Sequence, residues 1–256
     1  MCGDNILKIK NLTKVFGGIK ALNSFEMEVK RGEIHGLIGP NGAGKSTLFN
    51  LISGFLEADN GEIIFKDKVI NKYEPEKRAE IGISRTFQKS NIVDEMSLID
   101  NIIAGMSREQ SDPLKDFFNN HFSILKKEKK RKKKAKKALS FVGLENYEGR
   151  WSDELVWVER QLVQLARAII SKPDILLLDE PAAGMGIKEK NRIKKVIRDI
   201  KDRGITVVVI SHDLDVIMEI CDKVSVINFG ELIFSGDTEE ARNDEKVMEA
   251  YTGEKK

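Results

Sequence analysis

Apolar positions along this chain change period several times. Ile6 to Phe16 alternates like a strand with one face buried, and Gly17-Gly18 ends it. Ile34-His35-Gly36-Leu37-Ile38 reads as a short buried strand, and Thr47-Leu48-Phe49-Asn50-Leu51-Ile52 as a helix. Asn60-Gly61 is a turn signal before Ile63-Ile64-Phe65, and Ile83 to Phe87 is another strand. From Ser97 to about Ile170 the spacing turns helical, with Leu98, Ile102 and Ile103 on one face. Ile175-Leu176-Leu177-Leu178-Asp179 is an unbroken apolar run ending in an acid, the pattern of a parallel strand buried on both faces. Ile187 to Asp202 is helical, and Ile205 to Ile210 is a second such strand. Val224 to Ile227 and Glu231 to Phe234 flank an Asn-Phe-Gly turn. No repeat is visible. The order predicts an α/β core of about 1–90 and 166–256, with a helical subdomain of about 91–165 spliced into it.

Between the strand 34–38 and the helix lies Gly39-Pro40-Asn41-Gly42-Ala43-Gly44-Lys45-Ser46-Thr47. It matches the phosphate-binding P-loop pattern G-x-x-x-x-G-K-[ST] at every fixed position. Glycines let the backbone curl so that successive N–H groups face phosphate oxygens. Lys45 carries a mobile charge for the β- and γ-phosphates, and Ser46 a hydroxyl for Mg²⁺. The helix start adds partial positive charge. The expected ligand is ATP with Mg²⁺, bound by Gly39, Asn41, Gly42, Ala43, Gly44, Lys45, Ser46 and Thr47.

Three further positions join this chemistry. Asp179 ends a buried strand, where a carboxylate can enter the Mg²⁺ shell. Glu180 follows it, placed to orient or deprotonate an attacking water. Gln88 follows the strand 83–87 and can ligate metal or water. His212 follows the strand 205–210, and ligands gather at such carboxyl ends. Phe16 is a candidate to stack on adenine, set against ordinary core packing. His35 and His121 lack such a setting and read as structural.

Composition narrows the classes. The chain has 256 residues, 41% hydrophobic and 33% charged, with net charge +2. No global basic field argues for nucleic acid. No apolar stretch approaches a bilayer span, and Met1 to Asn11 lacks the apolar core of a secretory signal. Cys2 and Cys221 lie far apart without metal-type neighbours, which suggests a reducing compartment. Lys126 to Lys137 holds ten basic residues and one acid, Glu128. It reads as a solvated helix or loop, against a patch for anionic lipid or nucleic acid. Neutralising it is expected to leave ATP chemistry alone.

The ordered set Phe16, the P-loop 39–47, Gln88, Leu178-Asp179-Glu180-Pro181 and His212 resembles the ATP-binding subunits of ATP-binding cassette (ABC) transporters. Phe16-Gly17-Gly18, Arg85-Thr86-Phe87-Gln88, Ala182-Ala183-Gly184 and Glu249-Ala250-Tyr251-Thr252-Gly253-Glu254 resemble the branched-chain amino acid importer ATPases. The resemblance implies a P-loop NTPase core with a β-subdomain and an inserted α-helical subdomain. It implies an ATPase that powers transport of branched-chain amino acids or similar small polar solutes, peripheral on the cytoplasmic face of the cell membrane. Implied partners are membrane-spanning subunits and a second ATPase, with each ATP sandwiched between one subunit's P-loop and the other's signature. The alternatives are a soluble ABC-type ATPase with a regulatory or remodelling role, and a lipopolysaccharide-export-type ATPase.

Two departures stand out. The family's signature reads Leu-Ser-x-Gly-Gln, about ten residues before Ala-Arg-Ala, here Ala166-Arg167-Ala168. That slot holds Leu155-Val156-Trp157-Val158-Glu159. Val156 has no donor, Val158 puts a branched side chain where backbone must approach closely, and Glu159 brings negative charge near a phosphate. Ser152 is an alternative serine four residues off register. In the D-loop, Gly186 and Ile187 replace the usual Asp or Asn and Pro. Every element for binding ATP in cis is therefore present, while two that cross a dimer are weakened. A partner ATPase with an intact signature is the expected remedy.

Overall fold

The computed structural model describes residues 5–88, 91–106 and 121–252; of 121–124 and 251–252 only the backbone is described. Cys2, Gly253 and Glu254 and the side chain of His121 lie outside the described residues. The chain divides into two units, residues 1–88 with 174–256, and residues 89–173.

The first unit holds two sheets. Strands β1 (Asn5–Phe16), β2 (Ile19–Lys30), β4 (Asn60–Phe65) and β5 (Lys68–Val69) form an antiparallel sheet in the order β2-β1-β4-β5. Asn60 and Gly61 lie within β4 rather than ahead of it, with Asn60 opposite Thr13. The second sheet has the order β10-β9-β3-β8-β7-β6. Its members are β3 (Ile34–Ile38), β6 (Ile83–Arg85), β7 (Ile175–Asp179), β8 (Thr206–Ile210), β9 (Lys223–Asn228) and β10 (Glu231–Asp237). All neighbours pair in parallel except β9 and β10, a hairpin. Every residue of β3, β7 and β8 is buried, which explains their unbroken apolar runs.

Helix α1 (Lys45–Ser53) locks the two sheets together. Its Leu48, Phe49, Leu51 and Ile52 share one core with Leu12, Phe25, Ile63 and Phe65 of the first sheet and Leu37, Leu177 and Val208 of the second. Burying four such side chains contributes roughly 1.5–3 kcal/mol each, as an upper figure. Gly54, at φ 84°, caps the helix and turns the chain away. Helix α2 (Pro75–Glu80) follows, and its buried Arg78 donates to the carbonyls of Leu51, Ile52, Asn71 and Tyr73.

The second unit is helical but not one continuous run. Helices α3 (Leu98–Ala104), α4 (His121–Phe141) and α5 (Trp157–Ile169) pack on one another. Residues 142–156 are irregular apart from short 3-10 turns at Glu145–Tyr147 and Ser152–Glu154. Helix α5, which the sequence boundary near 165 divided, falls wholly in this unit. Asn101, fully buried, replaces missing regularity with side-chain bonds. Its amide accepts from Val93 N at 2.9 Å and donates to Val93 O and to Ser152 Oγ. Back in the first unit, α6 (Ile187–Asp202) and α7 (Leu214–Ile220) follow β7 and β8, and α8 (Thr238–Asn243) and α9 (Glu245–Thr252) follow β10.

Candidate functional site

Four parallel strands end on one edge, and the chemistry sits on their carboxyl ends. The P-loop follows β3, Gln88 follows β6, Asp179 ends β7 and His212 follows β8. A cavity of about 310 Å³ opens there. Residues 41–47, Ala21, Gln88, Asp179, Glu180 and Ile210 line it. Among the expected residues, Gly39, Phe16 and His212 are not on the lining. Phe16 stands at the end of β1, 45% exposed, with Lys14 Nζ 5.5 Å from its ring centre. Ala21 and Ile210 were not anticipated; their roles depend on contacts across the sheet that local sequence does not carry.

The phosphate end is built by backbone. No side chain caps the start of α1, so its first N–H groups face the cavity without an internal partner. Gly44 has φ 112°, and a Cβ there would lie 2.5 Å from the Ala21 carbonyl. Gly230, at φ 79°, would strike the same carbonyl, at 2.8 Å. Gly230 N donates to Ala43 O at 2.9 Å, and Asn23 N donates to Gly230 O at 3.0 Å. The loop is thus held from behind by β2 and the β9–β10 turn. Lys45 Nζ donates to Gly39 O at 2.7 Å and Pro40 O at 2.9 Å. Burial pulls its pKa below the ordinary lysine value, while Glu180 and Asp179 push the other way.

The acidic end is built by side chains. Asp179 pairs with Arg85, Nη2 to Oδ2 at 3.1 Å, and both are about nine-tenths buried. Arg85 Nη1 also donates to Asn50 Oδ1 at 2.7 Å and Ser53 Oγ at 3.0 Å on α1. The Phe87 and Phe49 rings lie 5.0 and 5.5 Å from its guanidinium. Arg85 thereby ties β6, β7 and α1 together. Burial lowers its pKa, and the bond to Asp179 opposes this.

Glu180 takes φ 52°, unusual for a residue with a Cβ. Such backbone costs about 1–3 kcal/mol and is held by its surroundings. Here Glu180 N donates to Ile210 O at 2.9 Å, and Ala183 N donates to Glu180 O at 3.2 Å. The turn carries the carboxylate off the strand and into the cavity. His212 Nδ1 lies 2.7 Å from Glu180 Oε2, an ion-pair distance. The pair is out of hydrogen-bond alignment, which leaves that buried oxygen without a bonded donor. Among the described residues no group of three His, Cys, Asp or Glu could hold a metal alone.

The signature slot lies in the second unit. Val156 caps α5 and is 59% exposed, beside Trp157 at 43%. Glu159 Oε2 accepts from Val156 N at 3.1 Å, and Glu159 Oε1 accepts from Tyr147 Oη at 2.6 Å. The carboxylate therefore closes its own helix end, half of a capping box. Val158 is buried, so its branched side chain packs inside the unit. The exposed residues of the slot are Val156 and Trp157. Ser152 is no substitute serine. It is fully buried, and its Oγ donates to Met96 O at 3.1 Å and accepts from Asn101 Nδ2 at 2.8 Å. Ser152→Ala should lower stability by about 1–3 kcal/mol, because buried groups lose a partner. Denaturant unfolding checks this; unchanged stability would give the hydroxyl no structural part. In the D-loop, Gly186 N donates to Glu189 Oε2 at 3.0 Å, and Ile187 is 80% exposed.

A P-loop at the start of a helix, with paired acids at the carboxyl edge of a parallel sheet and a helical insert, defines an ATP-binding cassette. Residues 22–183 match the ABC transporter family, and the chain belongs to it. It is 36% identical to a probable branched-chain amino acid transport ATP-binding protein LivG of Methanocaldococcus jannaschii, covering 97% of this chain and 98% of that one. LivG of Escherichia coli K12, the high-affinity branched-chain amino acid transport ATP-binding protein, is 32% identical with the same coverage. A spermidine/putrescine import ATP-binding protein, PotA of Clostridium novyi, is 34% identical over 95% of this chain and 65% of its own length. Among solved structures, a nucleotide-free cassette of an ABC transporter superposes with TM-score 0.85 at 34% identity, covering 98% and 100%. An ADP-bound cassette gives 0.84 at 34% identity, covering 98% and 99%. The chain is an ATPase coupled to transport.

Proposed function

We propose that this chain powers import of branched-chain amino acids, on the cytoplasmic face of a membrane, beneath membrane-spanning subunits. The observation that carries the chemistry is one cavity lined by residues 41–47, Gln88, Asp179 and Glu180. In this reading P-loop N–H groups cradle the phosphates, and Lys45 leaves the carbonyls of Gly39 and Pro40 for the β- and γ-phosphates. Ser46, Gln88 and Asp179 offer a hydroxyl, an amide oxygen and a carboxylate, the hard oxygen donors suited to Mg²⁺. One carboxylate and two neutral groups hold such an ion only with the phosphates, in keeping with the absence of an all-protein cluster among the described residues. When bound, the ion neutralises charge on the phosphates. Glu180 orients the attacking water and accepts its proton. His212, beside Glu180, reaches the γ-phosphate. Phe16, outside the cavity, packs against the adenine.

The substrate rests on the LivG relatives and on the local strings that resemble those of the importer ATPases. The polyamine relative at similar identity shows that overall identity alone does not decide it. The test is uptake of labelled leucine by cells lacking the chain, then complemented. The parent chain should restore uptake. Lys45→Ala, which removes the charge on the phosphates, should lose nucleotide binding in calorimetry and fail to restore it. Normal uptake without the chain would remove the import role, and equal ATP affinity in Lys45→Ala would remove the site.

We further infer that the second ATPase of the assembly differs from this chain and carries an intact signature. Exposed Val156 offers no side-chain donor, and its N–H is already spent on Glu159.

A further inference from the structure

Helix α4 concentrates the positive charge of the molecule. Residues 126–137 contain ten cations and Glu128, a net +9 in a chain whose total is +2, so everything else sums to −7. Residues 125–134 and 136–137 are all exposed, while Ala135, Ala138, Leu139 and Val142 are buried. At 100° per residue Ala135, Ala138 and Leu139 fall on one stripe, and the cations other than Arg131 fill the remaining arc. Lys132 pairs with Glu128 at 2.8 Å, and Lys136 pairs with Glu148. Lys126, Lys129, Lys130, Arg131, Lys133 and Lys137 make no ion pair among the described residues. Lysines four apart, such as Lys126 and Lys130 or Lys129 and Lys133, repel and weaken the helix that carries them. Packing of the apolar stripe holds the helix in spite of this.

We propose that the outer arc of α4 is a docking surface for an anionic lipid bilayer. The argument is charge complementarity. A bilayer rich in acidic headgroups asks only for dense positive charge near its plane. The arc supplies that over about 18 Å of helix, beside an open groove of about 510 Å³ lined by Leu125, Glu128, Lys129, Lys132, Lys133 and Lys136. Nucleic acid fits less well. Residues 125–137 carry no aromatic side chain to stack on bases and no Asn or Gln to read base edges. The chain has no helix among the described residues long and apolar enough to cross a membrane. Direct lipid contact would hold the subunit at the surface in addition to any protein partner. The inference stands apart from the substrate proposed above.

The test is co-flotation of the full-length chain with vesicles of phosphatidylcholine alone or with 30% phosphatidylglycerol, about that fraction setting the negative surface charge. The chain should float with the acidic vesicles only, and less so as salt rises. Each cation near the surface is worth about a fivefold factor, so changing the six unpaired ones to Gln should lower partitioning by more than about 100-fold. Lys→Arg at the five lysines among them should retain it. ATP affinity of the Gln variant should equal the parent's, which shows that it has folded. Three outcomes would overturn the proposal: no preference for acidic vesicles, full binding by the Gln variant, or tighter binding to RNA or duplex DNA than to the vesicles.

Discussion

Glu180→Gln should keep ATP bound and cut turnover of the assembled transporter by about 100- to 10,000-fold, the usual worth of a positioned general base. The substitution keeps size and shape, so the strained turn at φ 52° and the bond from Glu180 N to Ile210 O remain. What disappears is a proton acceptor in a cavity it shares with Lys45 and Asp179. Loss of its charge also removes one of the two acids that push the Lys45 pKa upward, so Lys45 should become slightly easier to deprotonate. Turnover and retained nucleotide, measured on the same preparation, separate the two effects. Undiminished hydrolysis would mean that another group handles the water, with Asp179 already committed to Arg85.

The second large effect concerns the signature. The purified lone chain should hydrolyse ATP poorly, and Val156→Ser, Val158→Gly and Glu159→Gln together should raise its rate roughly 100- to 1,000-fold. Each donor to a developing charge is worth about 2.7–4 kcal/mol. The structure adds a cost to this restoration. Val158 is buried, and Glu159 closes the start of α5 and holds Tyr147. The triple variant should therefore also lose stability by a few kcal/mol, from a vacated core position and a glycine in a helix. Val156→Ser alone touches only an exposed position and should raise the rate by a smaller factor without that loss. Steady-state assays of the three proteins decide the matter. Brisk hydrolysis by the parent, unaffected by the triple change, would sink the asymmetric assembly.

Much of the catalytic edge was legible because its signals are local. Gly39 to Thr47 needs only its own spacing. The unbroken runs before Asp179 and Ser211 announce strands covered on both faces. Helix α6 was legible from period alone. Other parts were not, since they depend on residues far apart in sequence. Arg85 reads as one letter of a short string, yet it grips Asp179, Asn50 and Ser53 across three elements. Strand β2 did carry a local signal that went unused, since buried Phe25, Met27 and Val29 alternate with exposed Glu26, Glu28 and Lys30. The insert read as continuous helix because Leu144, Leu155 and similar apolar residues keep a helical rhythm through a segment that folds irregularly. Ser152 was a plausible phosphate ligand by type; only its burial and its bonds to Asn101 and Met96 assign it elsewhere.

The hairpin turn at Gly230 touches no phosphate, yet it shares the Ala21 carbonyl with Gly44 and bonds Ala43 directly. Any side chain inherited at 230 would have to displace the wall against which the phosphate loop is moulded. A buried turn position nearly two hundred residues away in sequence thus carries the same steric demand for glycine as Gly44 within the nucleotide loop.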